Sequence, residues 1–384
     1  MIKMITAFTS EADIADIAIA EILEQIDIKA LQKNTVAIVQ CHAEFIKSGV
    51  LGAVCKALPF ETVGISCSYT SVNGSSGALS LTVSVLTGDD CYFKTTSFSG
   101  TESKEAVLAS AKEAASKLAE NGKMPTMGLA YASFMSFVSG DKIVNAFSEG
   151  LPGVPLYGSL PISDELDFSD SYTIHNGLYT EYGGVFLGIY GDFTPTFKLT
   201  ALSEGKVYRT HGIVQKTSDN IVYQIDGMKA TDFIVEKGIA TKETAGNIVA
   251  QPAVFTYPDG SIVMRNILSV DFEKGSFLLS GDAHEGAVID FALISAGDVK
   301  ASASALIGEI EDLFASASVV LFYSCATRLW SLGTEATAEI ELLAKTLKNK
   351  KYQFAFSGGE IYPMLVDGKY INTFQNNNLT ACII

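Results

Sequence analysis

Three apolar runs in the last quarter of the chain each stop at a polar cluster. Val319 to Tyr323 leads into Ser324-Cys325-Ala326-Thr327-Arg328. After an Ala/Leu/Lys-rich stretch, Tyr352-Gln353-Phe354-Ala355-Phe356 exits into Ser357-Gly358-Gly359-Glu360. The third run closes in Thr373-Phe374-Gln375-Asn376-Asn377-Asn378-Leu379-Thr380. Short apolar runs bounded by Gly, Ser and Asn read as buried strands. A sheet with polar groups at its strand ends can present a small-molecule site, and no standard catalytic motif occupies these ends. The pattern points to a binding or sensing protein rather than an enzyme.

Composition narrows the reading. A chain of 384 residues is long enough for two or three domains, or for one large two-part body. With 48% hydrophobic and 18% charged residues, it has the material for large buried sheets rather than disorder. The formal net charge of -16 and the absence of any Lys/Arg cluster exclude a phosphate-backbone partner and disfavour anionic membrane surfaces. Six scattered cysteines without a CxxC pair, and four histidines without HExxH spacing, argue against a disulfide scaffold and a zinc site. No metal or other cofactor is expected. The opening Met1 to Phe8 run is too short for a signal peptide, and Glu11, Asp13 and Asp16 follow it. No run is long enough to span a bilayer. A cytoplasmic setting is the expectation.

Residues 13–28 carry a helical isoleucine stripe, and 35–39 read as a strand. A short helix over 45–58 is stopped by Pro59, and a strand follows at 62–66. Residues 71–77 read as a polar loop, 79–86 alternate as a strand, and Gly88-Asp89-Asp90 turns the chain. This order then recurs: a helix over 102–119, a strand over 126–131, a helix at 143–147, and strands at 154–159 and 183–192. The recurrence predicts an internal duplication. Residues 197–214 read as a boundary. Beyond it come a strand and turn at 221–227, a helix at 230–237, and a hairpin over 253–270 through Pro258-Asp259-Gly260. Strands at 275–279 and 287–294 and helices at 301–314 and 334–347 follow. The predicted class is α/β, with α+β as the alternative. It comprises two closely packed parts with mixed sheets flanked by helices, the N-terminal part internally duplicated.

Over almost its full length the chain resembles the FIST proteins, a sensory family of bacteria and eukaryotes with FIST N and FIST C domains. Val63-Gly64-Ile65-Ser66, Pro155-Leu156-Tyr157-Gly158-Ser159 and Asn176-Gly177 with Gly184-Val185-Phe186 carry the likeness in the N-terminal part. Ile221 to Ala230, Arg265-Asn266-Ile267, Gly275-Ser276 and Glu285-Gly286 continue it. The more specific matches are Ser324-Cys325-Ala326-Thr327-Arg328 with Gly333, Gly359-Glu360-Ile361, and Phe374-Gln375-Asn376 with Leu379-Thr380 displaced by one asparagine. The chain departs from the family at Tyr157, Cys67 and Gln375. The resemblance implies a FIST N-like domain over 1–205 and a FIST C-like domain over 206–384. It also implies a ligand-sensing function, the ligand being an amino acid or similar small zwitterion, with a separate signalling protein as partner.

Each candidate site residue has a structural alternative. Arg328 offers a fork for a carboxylate, or makes an ion pair, for instance with Glu360. Glu360, beside Gly359, offers a carboxylate to an ammonium group, or caps the next segment. Asn376 and Thr380 orient a ligand, or tie down a polar turn. Tyr157, Ser159, Ser66 and Cys67 line an opposite wall. Cys325 is a nucleophile only if a base lies within reach, and His42, His175, His211 and His284 have no favoured spacing to it. That reading, a cysteine-dependent or acid-base hydrolase of a small amide or peptide, is one alternative to the sensor. A ligand-free partner-binding protein is the other. Asp164, Glu165, Asp167 and Asp170 form an acidic loop without metal-site order.

Overall fold

Alternate residues of a strand face opposite sides of its sheet, and three runs in this chain are apolar on both sides. In the computed structural model, Val36 and Ile38 of one strand, Leu129 and Tyr131 of a second, and Leu321 and Tyr323 of a third meet in one central core. Their neighbours Ala37 and Val39, Ala130 and Ala132, and Val320 and Phe322 face three separate outer cores. Three sheets therefore share an inner core, and helices cover the outer faces. The structure describes residues 2–100, 103–120, 122–135, 137–164, 169–200, 206–244, 251–348 and 350–384. Glu102 at the start of the predicted second-repeat helix, Glu165 and Asp167 of the acidic loop, and the boundary at 201–205 lie outside the described residues.

One unit is written three times. The first runs β1 (Lys3–Thr9), α1 (Ala15–Gln25), β2 (Asn34–Cys41), α2 (Glu44–Lys47), α3 (Val50–Ala57), β3 (Glu61–Ser66), β4 (Tyr69–Val72), β5 (Ser75–Gly77) and β6 (Leu81–Gly88). The second runs β7 (Tyr92–Ser99), α4 (Lys104–Ser116), β8 (Met127–Ala132), α5 (Gly140–Gly150), β9 (Leu156–Ser159), β10 (Thr173–His175), β11 (Leu178–Thr180) and β12 (Gly183–Tyr190). The third opens with β13 (Thr196–Leu199) and then admits an insertion. The inserted elements are β14 (Val207–Ser218), β15 (Ile221–Ile225), β16 (Met228–Lys229), α6 (Ala230–Glu236), β17 (Pro252–Thr256), β18 (Ile262–Asp271), β19 (Ser276–Leu279) and β20 (Val288–Ala292). The unit resumes with α7 (Ala296–Ile310), β21 (Val320–Cys325), α8 (Ala326–Leu332), α9 (Ala338–Thr346), β22 (Gln353–Ser357), β23 (Glu360–Val366), β24 (Lys369–Gln375) and β25 (Leu379–Ile383). The predicted mixed α/β class and duplication are both present. The third copy goes beyond the duplication expected in the N-terminal part, because the C-terminal part carries the same unit.

In each unit a parallel pair, β2 with β3, β8 with β9 and β21 with β22, is flanked by an antiparallel strand and an edge strand. Each unit also gives its hairpin to another unit's sheet. The first unit's β4–β5 pairs with β22, the second's β10–β11 with β3, and the third's β23–β24 with β9. The predicted polar loop over 71–77 is thus part of a hairpin. Its turn, Asn73-Gly74, has both residues at positive φ, as do Asn176-Gly177 and Asp367-Gly368 in the other two. Such turns match the twist of the strands they join.

The inserted strands form a seven-stranded sheet of their own with a separate core around Phe233, Phe255 and Phe291. It docks beside the second and third units. Buried Arg265 of β18 donates to both carboxylate oxygens of Asp141 in α5, each at 2.9 Å, and to the Phe374 carbonyl at 3.1 Å. Asp219 of the insert pairs with Lys104 and Lys142 of the second unit.

Candidate functional site

Backbone register identifies corresponding strand tips. His42, Ser133 and Cys325 each follow or end the central strand of a unit and donate the same ladder hydrogen bond, to the Ser80, Gly183 and Asn378 carbonyls. At the third tip, the insert lies against the sheet and closes a cavity of about 10 Å³ lined by Asn266, Ser280, Cys325, Thr327, Trp330 and Ser357, among others. A cavity of this size holds about one water molecule.

The walls form a chain of buried polar groups. Asn266 of β18 presents its backbone N–H to Ser280 Oγ at 3.1 Å, and Ser280 donates to Asn376 Oδ1 at 2.8 Å. Asn377 donates from Nδ2 to Asn266 Oδ1 at 2.8 Å and accepts from Thr327 Oγ1 at 2.6 Å. Thr327 Oγ1 also lies 3.1 Å from Cys325 Sγ. Burial pushes the Cys325 thiol up to about 12, the nearby Glu360 carboxyl adding to the effect. No histidine is among its hydrogen-bond partners.

Arg328 and Glu360 do not pair through a hydrogen bond. Arg328 is held by Glu339, with NH2 donating to Oε1 at 2.6 Å and Nε to the same oxygen at 3.2 Å. Its remaining donors meet the Asn377 and Val299 carbonyls and Ser302 Oγ. Ser324 Oγ donates to the other Glu339 oxygen at 2.7 Å. The ion pair weighed in the sequence is present, with Glu339 in the place considered for Glu360. Glu339 stands in the first turn of α9, where no local pattern marks it as a partner.

Glu360 is fully buried, and neither carboxylate oxygen has a hydrogen-bonding partner among the described residues. Burial is the largest influence on it and raises its pKa well above the usual carboxylate range; the Arg328 charge and the Asn378 N–H oppose this. Burial thus favours the neutral, protonated form of the Glu360 carboxyl. Asn376 Nδ2 and Ser357 Oγ are likewise buried without hydrogen-bonding partners among the described residues. Leaving such a group unpaired costs about 1–3 kcal/mol, so the cluster favours a polar occupant. Gly359 lets Phe374 and Asn376 approach the backbone closely: its φ is +138°, and a Cβ there would lie 2.7 Å from the Phe374 ring and 3.0 Å from Asn376 Nδ2.

The other candidates lie elsewhere in the core. Tyr157 sits in the central core, its hydroxyl 3.1 Å from both the Leu321 carbonyl and Thr380 Oγ1. Ser159 donates to the Gly359 carbonyl at 2.7 Å and so steadies the glycine turn from β9. Ser66 donates to the Ile162 carbonyl and accepts from the Tyr172 N–H, while Cys67 is a buried thiol raised by desolvation. The structure thus gathers Glu360, Gly359, Asn376 and Cys325 at one place and leaves Ser66, Cys67, Tyr157 and Thr380 as packed supports. Asp164 and Asp170 of the acidic loop pair with His42 and Lys47. Asn266, Ser280 and Arg265 were not singled out as site residues; the only signal for two of them was Arg265-Asn266-Ile267 in the family likeness.

The fold is a multi-sheet α/β assembly with a cluster of buried polar groups under an inserted sheet. The FIST N domain model matches residues 35–228 and the FIST C domain model residues 230–363, and the chain belongs to the FIST family. FIST domains are small-molecule-sensing modules of signal transduction, typically non-catalytic and linked to separate signalling partners. No curated protein matches the chain. Among solved structures it is similar to a cyanuric acid hydrolase described as an evolutionary innovation by structural concatenation. That match has 10% identity, covers 68% of this chain and 83% of that one, and has a TM-score of 0.29. The cyanuric acid hydrolase of A. caulinodans matches at 10% identity over 100% of this chain and 99% of that one, with a TM-score of 0.35. Among the described residues, no helix is long and apolar enough to cross a membrane.

Proposed function

We propose that this chain senses a small polar ligand, an amino acid or similar zwitterion, in the pocket around Glu360, and signals through a separate partner. One observation carries the reading: the unpartnered Ser357 Oγ lines the cavity under the inserted sheet, and Glu360 and Asn376, also buried with unpartnered atoms, follow its lining residues Gly358 and Phe374 two positions on. Glu360 ionises to receive the ligand ammonium, and Asn376 Nδ2 donates to its carboxylate. Arg328 contributes its positive field through the pocket wall while it remains bound to Glu339. Gly359 lets Asn376 approach the backbone closely, and Ser159, Tyr157, Thr380, Ser66 and Cys67 hold the surrounding strands. The FIST N-like part, 1–205, supplies the supporting wall, and the FIST C-like part, 206–384, supplies both the tips and the inserted sheet.

A cavity with room for about one water admits an amino acid only if its walls move. The insert contributes Asn266 and Ser280 to those walls, so entry shifts the insert against the third unit and alters the surface offered to a partner. The hydrolase alternative meets a buried Cys325 thiol pushed up to about 12, with no histidine among its hydrogen-bond partners in the described residues. The ligand-free alternative fits the filled surroundings of Arg328 but not the unpaired atoms at Glu360.

Trp330, the chain's single tryptophan, lines the pocket and reports on it. A thermal-shift screen against amino acids, small carboxylates and purines should give a stabilising ligand that also changes Trp330 emission. Glu360→Gln should abolish both responses while leaving the fold intact. A hit that binds the Gln variant equally well would place the ligand elsewhere.

A further inference from the structure

A second cavity, of about 280 Å³, opens where the insert's β14, β17 and β18 face β13 of the third unit. It approaches the lower end of ligand-pocket sizes, about 300 Å³. Its lining is mainly apolar: Leu199, Val207, Val254, Ile262, Val263 and Met264. One charged side chain, Arg209, joins that lining.

Local backbone irregularity delivers Arg209 there. The β14–β20 ladder pairs Tyr208 with Phe291 and then slips to Gly212 with Ile289, so residues 209–211 bulge opposite Asp290. His211 takes a φ of +49° within the bulge, and its N–H donates to the buried Asp290 Oδ1 at 2.8 Å. Bulges of this kind re-aim side chains. With one oxygen committed to the bulge, Asp290 meets Arg209 only through a single contact at 3.4 Å, near the limit of a hydrogen bond. The Arg209 side chain is 48% exposed, and its guanidinium makes no other hydrogen bond among the described residues. An arginine at the edge of an apolar cleft, with most of its donors uncommitted, suits a carboxylate attached to an apolar body.

We propose that this cleft is a second ligand site, which takes a small amphipathic carboxylate with its chain against Val254, Ile262 and Met264 and its head group on Arg209. The site is separate from the polar pocket but adjoins it. Gln375 and Asn378 line the cleft, while Asn376 and Asn377, between them in sequence, bond into the polar network. Occupancy of the cleft therefore bears on the same four-residue segment that forms a wall of the inner site.

Octanoate and its uncharged analogue octan-1-ol, titrated calorimetrically into the full chain, test the proposal. Octanoate should bind more tightly than octanol. Arg209→Gln should weaken octanoate by at least about ten-fold, as expected for loss of a charge-assisted hydrogen bond, and leave octanol unchanged. Arg209→Lys should restore part of the loss. Val254→Trp, which fills the cleft, should abolish both; Ile262→Trp, at a position 62% exposed, makes the same test if the first variant does not fold. Glu360→Gln should leave octanoate binding unaltered, which separates this site from the inner one. Equal binding of octanoate and octanol, unchanged octanoate binding in both Arg209→Gln and a folded Trp variant, or no octanoate binding at all would overturn the proposal.

Discussion

Glu360 and Arg328 are both buried at the third strand tip, yet their surroundings differ, and so do the consequences of changing them. A carboxyl whose folded pKa is raised holds its proton more tightly in the folded state than in the unfolded one. Its contribution to stability is full below the ordinary value of 4.5 and is lost as pH rises from there toward the raised folded value. Glu360→Gln removes that loss. The variant should therefore melt at or above the wild-type temperature at neutral pH, and the difference should shrink as pH falls toward 4.5. Melting curves across pH check this; a constant difference would mean that Glu360 is ionised in the folded protein. Arg328→Met leaves Glu339 buried without its partner and should cost about 3–5 kcal/mol in urea unfolding, most of it recovered in the double variant with Glu339→Met. Cys325, a thiol pushed up to about 12, should resist iodoacetamide in the native protein at mildly alkaline pH and react once unfolded. Rapid native labelling, read by peptide mass spectrometry, would instead support the hydrolase reading.

At the scale of elements, local chemistry accounts for most of what forms. Ser295 and Asp298 make a reciprocal capping box at the start of α7, and Ser103 and Ser139 cap α4 and α5. The helix predicted over 45–58 is two helices, because Gly49 takes a φ of +83° between them. The signal for the exchanged hairpins stands in the sequence as Asn73-Gly74, Asn176-Gly177 and Asp367-Gly368. At 71–77 it reads as a polar loop, because the flanking residues, Tyr69 to Gly77, are too polar to read as strands on their own. They are strands because β22 supplies the missing partner. The turn between β22 and β23 depends on Gly359. Gly359→Ala should lower stability by about 1–3 kcal/mol, through its positive φ and the clash with Phe374, with chemical denaturation as the measurement.

At the scale of the whole molecule, hairpin exchange ties the three units together: each sheet is completed by a strand pair from another unit. The three units should therefore unfold in one transition. Trp330 emission, which reports the third unit, and far-UV circular dichroism, which reports all of them, should give coincident denaturant midpoints. Well-separated midpoints would refute the coupling. The sequence alone determined the kinds of elements, the repetition of strand and helix, and the identity of the residues at the third tip, because apolar periodicity and turn chemistry act over a few neighbouring residues. Only the tertiary structure decided that Arg328 pairs with Glu339, that Glu360 is left without a hydrogen-bonding partner among the described residues, and that the insert closes over the Cys325 strand tip. Those outcomes rest on contacts such as Asn377 with Asn266 and Ser71 with Phe354, between residues more than a hundred positions apart. No local pattern specifies such pairings; they follow from which faces the sheets must bury against one another.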